Sequence, residues 1–271
     1  MNSKTIRYLF GIFLLMMTLF SFYYSKIALF VMAVFIIIIA INEYRNMFKK
    51  KEICPHSFLP EIIGIFCSYI FIFKSDIAEH NIITPVITIG IILSFILTVL
   101  KNSKPYILTS LSTICAIVLT FCGLYVIKLT YYFEHLSSFY VIAVYFLTVL
   151  SGDYAASVVG LHCKNKKFLA AEISPEKTLQ GAAANLVVSC LICLLFVKLL
   201  NFSIIKCIIF GCVISVFSQF GDLAVSTIKR DLGIKHSGNM FYGYGGILDR
   251  LDAFIFSAPA AYYFLYLISV V

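Results

Sequence analysis

The sequence predicts an all-α integral membrane protein with about nine transmembrane helices. Of its 271 residues, 61% are hydrophobic and only 13% are charged, and the mean hydropathy is +0.99. Soluble domains carry about 25% charged residues, so this composition excludes an ordinary soluble enzyme, a disordered chain and a disulfide-stapled secreted module. The apolar residues also fall into runs of about 15–22 residues, which suits helices that cross a bilayer core of about 30 Å.

Nine apolar runs, taken in order along the chain, are the predicted spans. The first begins beside Lys4 and Arg7, as a signal peptide would. It is too long for a signal peptide and lacks a small-residue cleavage site, so we interpret it as a membrane anchor. The predicted spans are residues 6–24, 27–41, 58–73, 82–100, 107–127, 139–160, 181–200, 204–225 and 253–271.

The lysine and arginine residues predict the orientation of these spans. With a cytoplasmic amino terminus, nine spans place 16 of the 21 Lys and Arg residues on the cytoplasmic side, in agreement with the positive-inside rule. The net charge of +8 therefore concentrates at that face. Such charge orients membrane proteins of any function and attracts anionic lipid headgroups, so it indicates topology and not activity.

The two halves of the chain differ in where they carry polar residues. Residues 1–150 form an apolar helical half, whereas residues 151–271 contain two dense blocks of Gly, Asp, Lys and Arg. We predict that both halves belong to one continuous membrane domain. Cys190 and Cys193 have the spacing of a redox or zinc motif, but their neighbours are aliphatic, which favours a role in helix packing.

The first polar block, residues 151–181, contains Asp153 and the segment Ser174-Pro175-Glu176-Lys177-Thr178. A carboxylate within an apolar span is costly and indicates a functional cavity. Proline favours the first helical position, so Ser174 is predicted to cap a helix that continues to Leu200. The free N–H groups of such a helix start, with Lys177 and Thr178, would bind a phosphate. An ordinary capped helix with a snorkelling lysine is the alternative.

The second block, residues 221–252, combines four carboxylates with four basic side chains. Asp249 and Asp252 are three residues apart, so in the first turn of a last helix they would share one face. Two carboxylates beside basic residues suit a Mg²⁺ ion that carries a polyphosphate, and Gly245 and Gly246 would let the backbone approach a ligand. A solvated charged loop is the alternative, but it does not require paired carboxylates at a membrane boundary. The charged residues are Asp222, Asp231, Asp249, Asp252, Lys229, Arg230, Lys235 and Arg250.

These motifs resemble those of the phosphatidate cytidylyltransferase family, also called CDP-diacylglycerol synthases. The second block is similar to the family's carboxy-terminal signature, S-x-x-K-R-x4-K-D followed after a spacer by H-G-G-x-x-D-R-x-D. The first block resembles the family's S-P-x-K-T-x-[EQ]-G motif, which follows an Asp in a helix. The resemblance extends from residue 151 to the end, and the matching residues are Asp153, Ser174, Pro175, Lys177, Thr178, Gln180, Gly181, Gly221, Asp222, Leu223, Ser226, Lys229, Arg230, Lys235, Gly245, Gly246, Asp249, Arg250 and Asp252.

Two positions depart from the family pattern. His236 stands where the signature has an aspartate, and Tyr244 stands where it has the histidine of His-Gly-Gly. Because Mg²⁺ prefers oxygen ligands, the imidazole is expected to weaken metal binding.

The resemblance implies a Mg²⁺-dependent enzyme of phospholipid biosynthesis. It would transfer a cytidylyl group from CTP to phosphatidate, forming CDP-diacylglycerol and pyrophosphate. The partners implied are CTP, phosphatidate and membrane lipids, with no nucleic acid, and a homodimer is allowed. The implied location is the bacterial inner (cell) membrane, with a polar site that the carboxy-terminal half builds on the cytoplasmic side.

The family's residue roles carry over by position. The implied catalytic residues are Asp222, Lys229, Arg230, Asp249, Arg250 and Asp252. The implied phosphate-binding residues are Ser174, Lys177, Thr178, Ser226 and Lys235. The implied metal ligands are Asp249, Asp252, Asp222 and Asp153, some of them through a second shell. The alternatives are a related membrane nucleotidyl- or phosphotransferase acting on a polyprenyl lipid, a non-catalytic lipid-binding relative, and a transporter, although a transporter should carry interrupted helices in both halves.

Overall fold

The computed structural model describes residues 12–13, 16–20, 25–74, 83–130, 135–163, 167–238, 240 and 245–270. From residue 25 onward it contains helices and one two-stranded hairpin. The elements are α1 (Lys26–Lys49), α2 (Phe58–Phe73), α3 (Ile83–Leu100), α4 (Tyr106–Thr130), α5 (His135–His162), β1 (Phe168–Ala170), β2 (Ser174–Thr178), α6 (Leu179–Leu195), α7 (Val197–Leu200), α8 (Ile204–Asp231) and α9 (Leu248–Val270).

The helices coincide with the predicted spans. Each apolar run after the first is helical, and among the described residues six helices are long and apolar enough to cross a membrane. Helices α2 and α6 are also apolar but shorter. The first predicted span lies mostly outside the described residues, so the count of nine stays a prediction. The prediction of a helical, multi-pass membrane protein is confirmed.

The distribution of side chains in α3 is typical of a helix in lipid. Its buried residues are Gly90, Ser94 and Thr98, which recur every four residues and form a small, polar stripe towards the other helices. Its large apolar residues point outward, and Val99 is 74% exposed. Small and hydroxyl residues at helix contacts are characteristic of membrane bundles, because lipid tails solvate the aliphatic side chains.

The helices of the second half pack closely around α8. Helix α9 lies against α8 and α4, and α6 lies against α5 and α8. Gly152 makes the α5–α6 contact possible, because a Cβ there would lie 2.8 Å from both Asn185 Oδ1 and Ser189 Oγ. This close approach brings polar side chains of α5, α6 and α8 together inside the bundle.

The predicted helix from Ser174 to Leu200 is wrong at both ends. Residues Ser174–Thr178 form strand β2, which pairs antiparallel with β1. Helix α6 begins at Leu179, where the Thr178 hydroxyl accepts a hydrogen bond from the Gly181 N–H at 3.1 Å, and it ends at Leu195. Pro175 is compatible with the edge of a short strand, since it needs no donor there. Pairing with β1 therefore decides the conformation of this segment, and Thr178 takes the capping role assigned to Ser174.

Contacts join the polar loops at one end of the bundle. The His56 ring, between α1 and α2, lies 3.3 Å from Thr98 Oγ1 near the end of α3. Arg230 Nε, near the end of α8, donates to the Ile173 carbonyl of the hairpin at 2.9 Å. The loops that the charge pattern assigns to the cytoplasm are therefore neighbours in space.

This arrangement gives a testable topology. In intact cells, Glu176→Cys in the hairpin is expected to react with an impermeant maleimide only after permeabilisation. Lys198→Cys in α7 is expected to react without permeabilisation, because positive-inside orientation places it outside. Wild-type protein, which has nine cysteines, sets the background labelling. The reverse pattern of labelling would contradict the orientation.

Candidate functional site

A polar cavity of about 540 Å³ lies between α5, the hairpin, α6 and α8. It contains two carboxylates and one lysine of the first block, Asp153, Glu176 and Lys177, together with one carboxylate of the second block, Asp222. Apolar residues of the hairpin and of the end of α5 form part of its wall. Its polar lining residues are Asp153, Ser157, Ser174, Glu176, Lys177, Thr178, Asn185, Gln219 and Asp222.

An ion pair crosses this cavity. Lys177 Nζ of β2 lies 2.8 Å from Asp222 Oδ2 of α8, and the side chains are 23% and 17% exposed. Because β2 is held beside α8 by the hairpin and Arg230, the ammonium has a fixed position at the cavity wall. An anion entering the cavity would meet a preorganised positive charge.

Asp153 belongs to a second polar group in the same cavity. Its Oδ1 lies 3.4 Å from Asn185 Nδ2, and Asn185 Oδ1 accepts hydrogen bonds from Ser215 at 2.6 Å and Ser189 at 3.2 Å. The Asn185 amide is thereby oriented with its NH₂ group towards Asp153. Asp153 therefore lines the cavity, and its functional role stays a prediction.

Asp249 lies outside this cavity, in a second cluster at the start of α9. Its Oδ1 accepts a hydrogen bond from Lys229 Nζ at 2.6 Å, and the two side chains are 10% and 9% exposed. Its Oδ2 accepts from the Ser237 N–H at 2.9 Å and from the Gly246 N–H at 3.1 Å. Burial of such a pair is tolerated only when hydrogen bonds satisfy the charges, as they do here.

Helix α8 connects the cavity to the second cluster. Asp222, Ser226 and Lys229 stand at positions i, i+4 and i+7, so they follow one face of the helix over about 10 Å. Ser226 and Lys229 are both 7% exposed. The spacing thus places these three side chains along one face of α8, from the cavity to the second cluster.

The four carboxylates predicted as metal ligands do not converge on one centre. Asp153 and Asp222 line the cavity, whereas Asp249 is engaged by Lys229 and two backbone amides. Asp252 is 2% exposed, and its Oδ1 accepts from the Ala253 N–H at 2.8 Å. Within the described part of the chain, no three His, Cys, Asp or Glu residues are grouped as metal ligands. The structure thus places Asp153 and Asp222 in the cavity and Asp249 and Asp252 at the start of α9, and their role as metal ligands stays a prediction.

Comparison with known proteins agrees with these motifs. The sequence profile described as the cytidylyltransferase family matches residues 5–268. The chain belongs to this family. It is 32% identical to phosphatidate cytidylyltransferase of Bacillus subtilis over 240 residues, which cover 85% of this chain and 86% of that protein.

Two further members of the cytidylyltransferase family match shorter regions. Chloroplastic phosphatidate cytidylyltransferase 5 of Arabidopsis thaliana is 47% identical over 95 residues, which cover 34% of this chain and 24% of that protein. Phosphatidate cytidylyltransferase of Synechocystis is 35% identical over 125 residues, which cover 45% of this chain and 42% of that protein. The sequence identity over these shorter regions is therefore higher than the 32% found over most of the chain.

Three basic residues of the family signature have different surroundings. Arg230 is exposed and donates to the carbonyls of Ile173 and Ile234, at 2.9 and 3.2 Å, so it holds the hairpin against α8. Lys235 is exposed and lines, with Arg230, an adjacent depression of about 370 Å³. Arg250 is 7% exposed, inside the bundle. Of these three residues, Lys235 presents its charge to solvent, and its role in binding phosphate stays a prediction.

His236 is placed beside the second cluster. Its Nδ1 lies 3.9 Å from Asp249 Oδ2, and its side chain is 47% exposed. An aspartate at this position, as in the family pattern, would face the Asp249 carboxylate, whereas the imidazole does not repel it. Tyr244, the second departure, and Gly243 lie outside the described residues.

Glu43 of α1 is a polar residue of this region that sequence reasoning missed. Its carboxylate lies against the glycine segment before α9, where a Cβ on Gly246 would approach Glu43 Oε2 to 2.2 Å. Gly246, predicted to let the backbone approach a ligand, thus makes room for a carboxylate of the same chain. The neighbouring Gly245 has a left-handed backbone conformation, with φ +97°. The sequence did contain a signal for this site, because Glu43 is an ionisable residue near the end of an otherwise apolar helix.

Proposed function

We propose that this protein transfers a cytidylyl group from CTP to phosphatidate, forming CDP-diacylglycerol and pyrophosphate. The observation that carries the proposal is the similarity to the Bacillus subtilis phosphatidate cytidylyltransferase along 85% of the chain. A phosphate oxygen of phosphatidate attacks the α-phosphorus of CTP, and the bond from that phosphorus to the bridging oxygen breaks as pyrophosphate leaves. The nucleophile is already anionic, so no serine or cysteine nucleophile is required.

The proposed triphosphate site is the cavity between α5, the hairpin, α6 and α8. Lys177 supplies a fixed positive charge, and Asp222 orients it at 2.8 Å. The Ser174 hydroxyl lines the same wall and can donate to a phosphate oxygen, whereas the Ser157 hydroxyl donates to the Tyr154 carbonyl at 2.9 Å. Holding the triphosphate in one orientation favours in-line attack and departure.

The composition of the cavity also suits a lipid phosphate. Leu161 and Phe168 line the cavity beside its charged residues, and they are 58% and 49% exposed. Exposed apolar side chains next to a polar cavity would contact acyl chains while the phosphate reaches Lys177. We place this end of the bundle on the cytoplasmic side of a bacterial inner membrane, where CTP is available. That the protein forms a homodimer stays a prediction.

The cavity residues fit a Mg²⁺ ion. Mg²⁺ in proteins takes one or two carboxylates and fills its other positions with water and phosphate oxygens. Asp153 and Asp222 supply two carboxylates in one cavity, and Gln219 adds an amide. Mg²⁺ bound there would neutralise charge on the triphosphate. Asp249 and Asp252 are then left to organise the start of α9.

The proposed function predicts a product and a metal requirement. Purified protein in detergent, given CTP, phosphatidate and Mg²⁺, is expected to form lipid-linked CDP and pyrophosphate. Chelation of Mg²⁺ is expected to lower the rate at least about a hundredfold, and re-addition to restore it. Asp153→Asn is expected to raise the Mg²⁺ concentration required for half-maximal rate, because the cavity loses one carboxylate.

The same assay separates the alternatives. A polyprenyl phosphate supplied in place of phosphatidate should remain unmodified, and its conversion would favour the polyprenyl-lipid transferase. No product with either lipid at any Mg²⁺ concentration would favour a non-catalytic relative. Asp231→Asn, at the exposed end of α8, is the matched control for Asp153→Asn, because it changes the same functional group away from the cavity.

A further inference from the structure

Glu43 is attached to the start of α9 although 204 residues of sequence separate them. Its Oε1 accepts a hydrogen bond from the Ile247 N–H at 2.9 Å, and its Oε2 accepts from the Leu248 N–H at 3.1 Å. The Ser237 hydroxyl donates to Oε2 at 3.2 Å. Glu43 is 9% exposed, so its carboxylate is buried but supplied with three donors. A buried charge persists when its hydrogen bonds are satisfied.

Glu43 and Asp249 hold the same two residues. Ser237 donates its hydroxyl to Glu43 and its backbone N–H to Asp249. Gly246 donates its N–H to Asp249, while its Cα faces the Glu43 carboxylate so closely that a Cβ would be 2.4 Å from Cδ. The two carboxylates therefore clamp Ser237 and Gly246, two residues of the segment between α8 and α9.

The clamp fixes the geometry of a buried ion pair. Asp249 Oδ2 is oriented by the Ser237 and Gly246 amides, which leaves Oδ1 directed at Lys229 Nζ at 2.6 Å. From α1, Glu43 accepts a hydrogen bond from the Ser237 hydroxyl and packs against Gly246, and it belongs to the half of the chain outside the family signature. If Glu43 releases them, the amides no longer orient Asp249, and the Lys229 ammonium loses its fixed position.

We propose that Glu43 is a positioning residue for the cytidylyl transfer: it acts through Asp249 to set the orientation of Lys229. This inference rests on the proposed function. The carboxylate serves two backbone N–H groups at the amino-terminal end of α9, where the helix dipole favours a negative charge. The Asn, Ser or Thr side chains that usually cap a helix come from the adjacent residue, whereas this cap comes from a different helix.

Glu43→Gln tests the proposal because the amide keeps the size of the side chain. One of the two carboxylate oxygens is replaced by an NH₂ group, which cannot accept the hydrogen bond from the Ile247 or the Leu248 N–H. We expect kcat per folded molecule to fall about tenfold or more, with the KM for CTP within about threefold of wild type. Glu52→Gln, at an exposed glutamate after α1, is the matched control and should leave kcat unchanged.

The double variant separates positioning from a structural role. In an Asp249→Asn background, Glu43→Gln should lower kcat by less than about twofold further, because Glu43 acts through Asp249. Reductions that multiply in the double variant would overturn the proposal, as would a Glu43→Gln enzyme with normal kcat. Single-turnover formation of labelled CDP-lipid extends the measurement to slow variants.

Hydrogen exchange supplies a readout that does not depend on activity. In the Glu43→Gln protein, amides of a peptide covering residues 245–250 should exchange about tenfold faster or more than in wild type, while those of α6 keep the wild-type rate. Unchanged exchange at residues 245–250 would overturn the clamp even if the protein made no CDP-lipid. If the wild-type protein made no CDP-lipid but the Glu43→Gln variant still exchanged faster, only the proposed function would be rejected.

Discussion

Asp249→Asn is expected to lower the rate of CDP-lipid formation by about a hundredfold or more, since each loss of about 1.4 kcal/mol in transition-state stabilisation costs a factor of ten. The substitution keeps the size of the side chain but leaves the Lys229 ammonium, 9% exposed, without its counter-charge. Removing one partner of a buried pair costs about 3–5 kcal/mol. The variant should therefore also melt at a lower temperature in detergent, and the rate must be normalised to folded protein.

The double variant Asp249→Asn with Lys229→Met separates folding from catalysis. Replacing both charges removes the stranded ammonium, so thermal stability should recover towards wild type. Activity should stay low, because the charges at the signature are gone. Recovery of activity together with stability would mean that the pair serves the fold alone. Asp231→Asn changes an exposed carboxylate at the end of α8, the helix that carries Lys229, and should be indistinguishable from wild type in both measurements.

Lys177→Ala is expected to lower kcat/KM for CTP by about a hundredfold or more. The lysine supplies positive charge at the wall of the cavity, and a developing negative charge on the pyrophosphate would interact with it most strongly in the transition state. Its pair with Asp222 is partly exposed, at 23% and 17%. Because water reaches this pair more than the Lys229–Asp249 pair, the loss of stability should be smaller than in Asp249→Asn, and the rate is again normalised to folded protein.

Two controls interpret the Lys177 result. Lys198→Ala, at the opposite end of the bundle, removes an equal charge far from the cavity and should leave kcat/KM unchanged. Lys177→Met combined with Asp222→Asn removes both partners of the ion pair. This double variant is expected to remain inactive, because it lacks both the phosphate-binding charge and a proposed metal ligand. Recovery of activity would mean that Lys177 only neutralises Asp222 and that Asp222 binds no metal. Normal kinetics in Lys177→Ala would remove the cavity from the catalytic proposal.

The positions of the helices were determined by the local sequence. Eight of the nine apolar runs coincide with helices, because burial in hydrocarbon depends on the composition of each segment and not on its neighbours. The family was also accessible, because the residues of the two blocks, among them Asp222, Ser226 and Lys229, resemble the family's motifs at spacings that can be counted along the chain. Both inferences rest on short-range patterns.

The segment before α6 shows where local reasoning fails. Ser174 and Pro175 have the propensities of a helix start, but residues 174–178 pair with β1 and are held by the guanidinium of Arg230. The strand β1 and Arg230, which make these contacts, cannot be inferred from the Ser174-Pro175 dipeptide. Thr178, which does cap α6, had the correct residue type four positions later.

The partners of the carboxylates were decided by tertiary structure alone. From sequence, Asp222 and Asp249 form one acidic block, yet α8 points Asp222 to Lys177 while α9 places Asp249 against Lys229. Glu43 reaches the same segment from α1. Composition and periodicity determined that this chain spans a membrane with a charged carboxy-terminal half. Which charges meet was fixed by helix packing, because the energy of a buried charge depends on the donors that surround it in space.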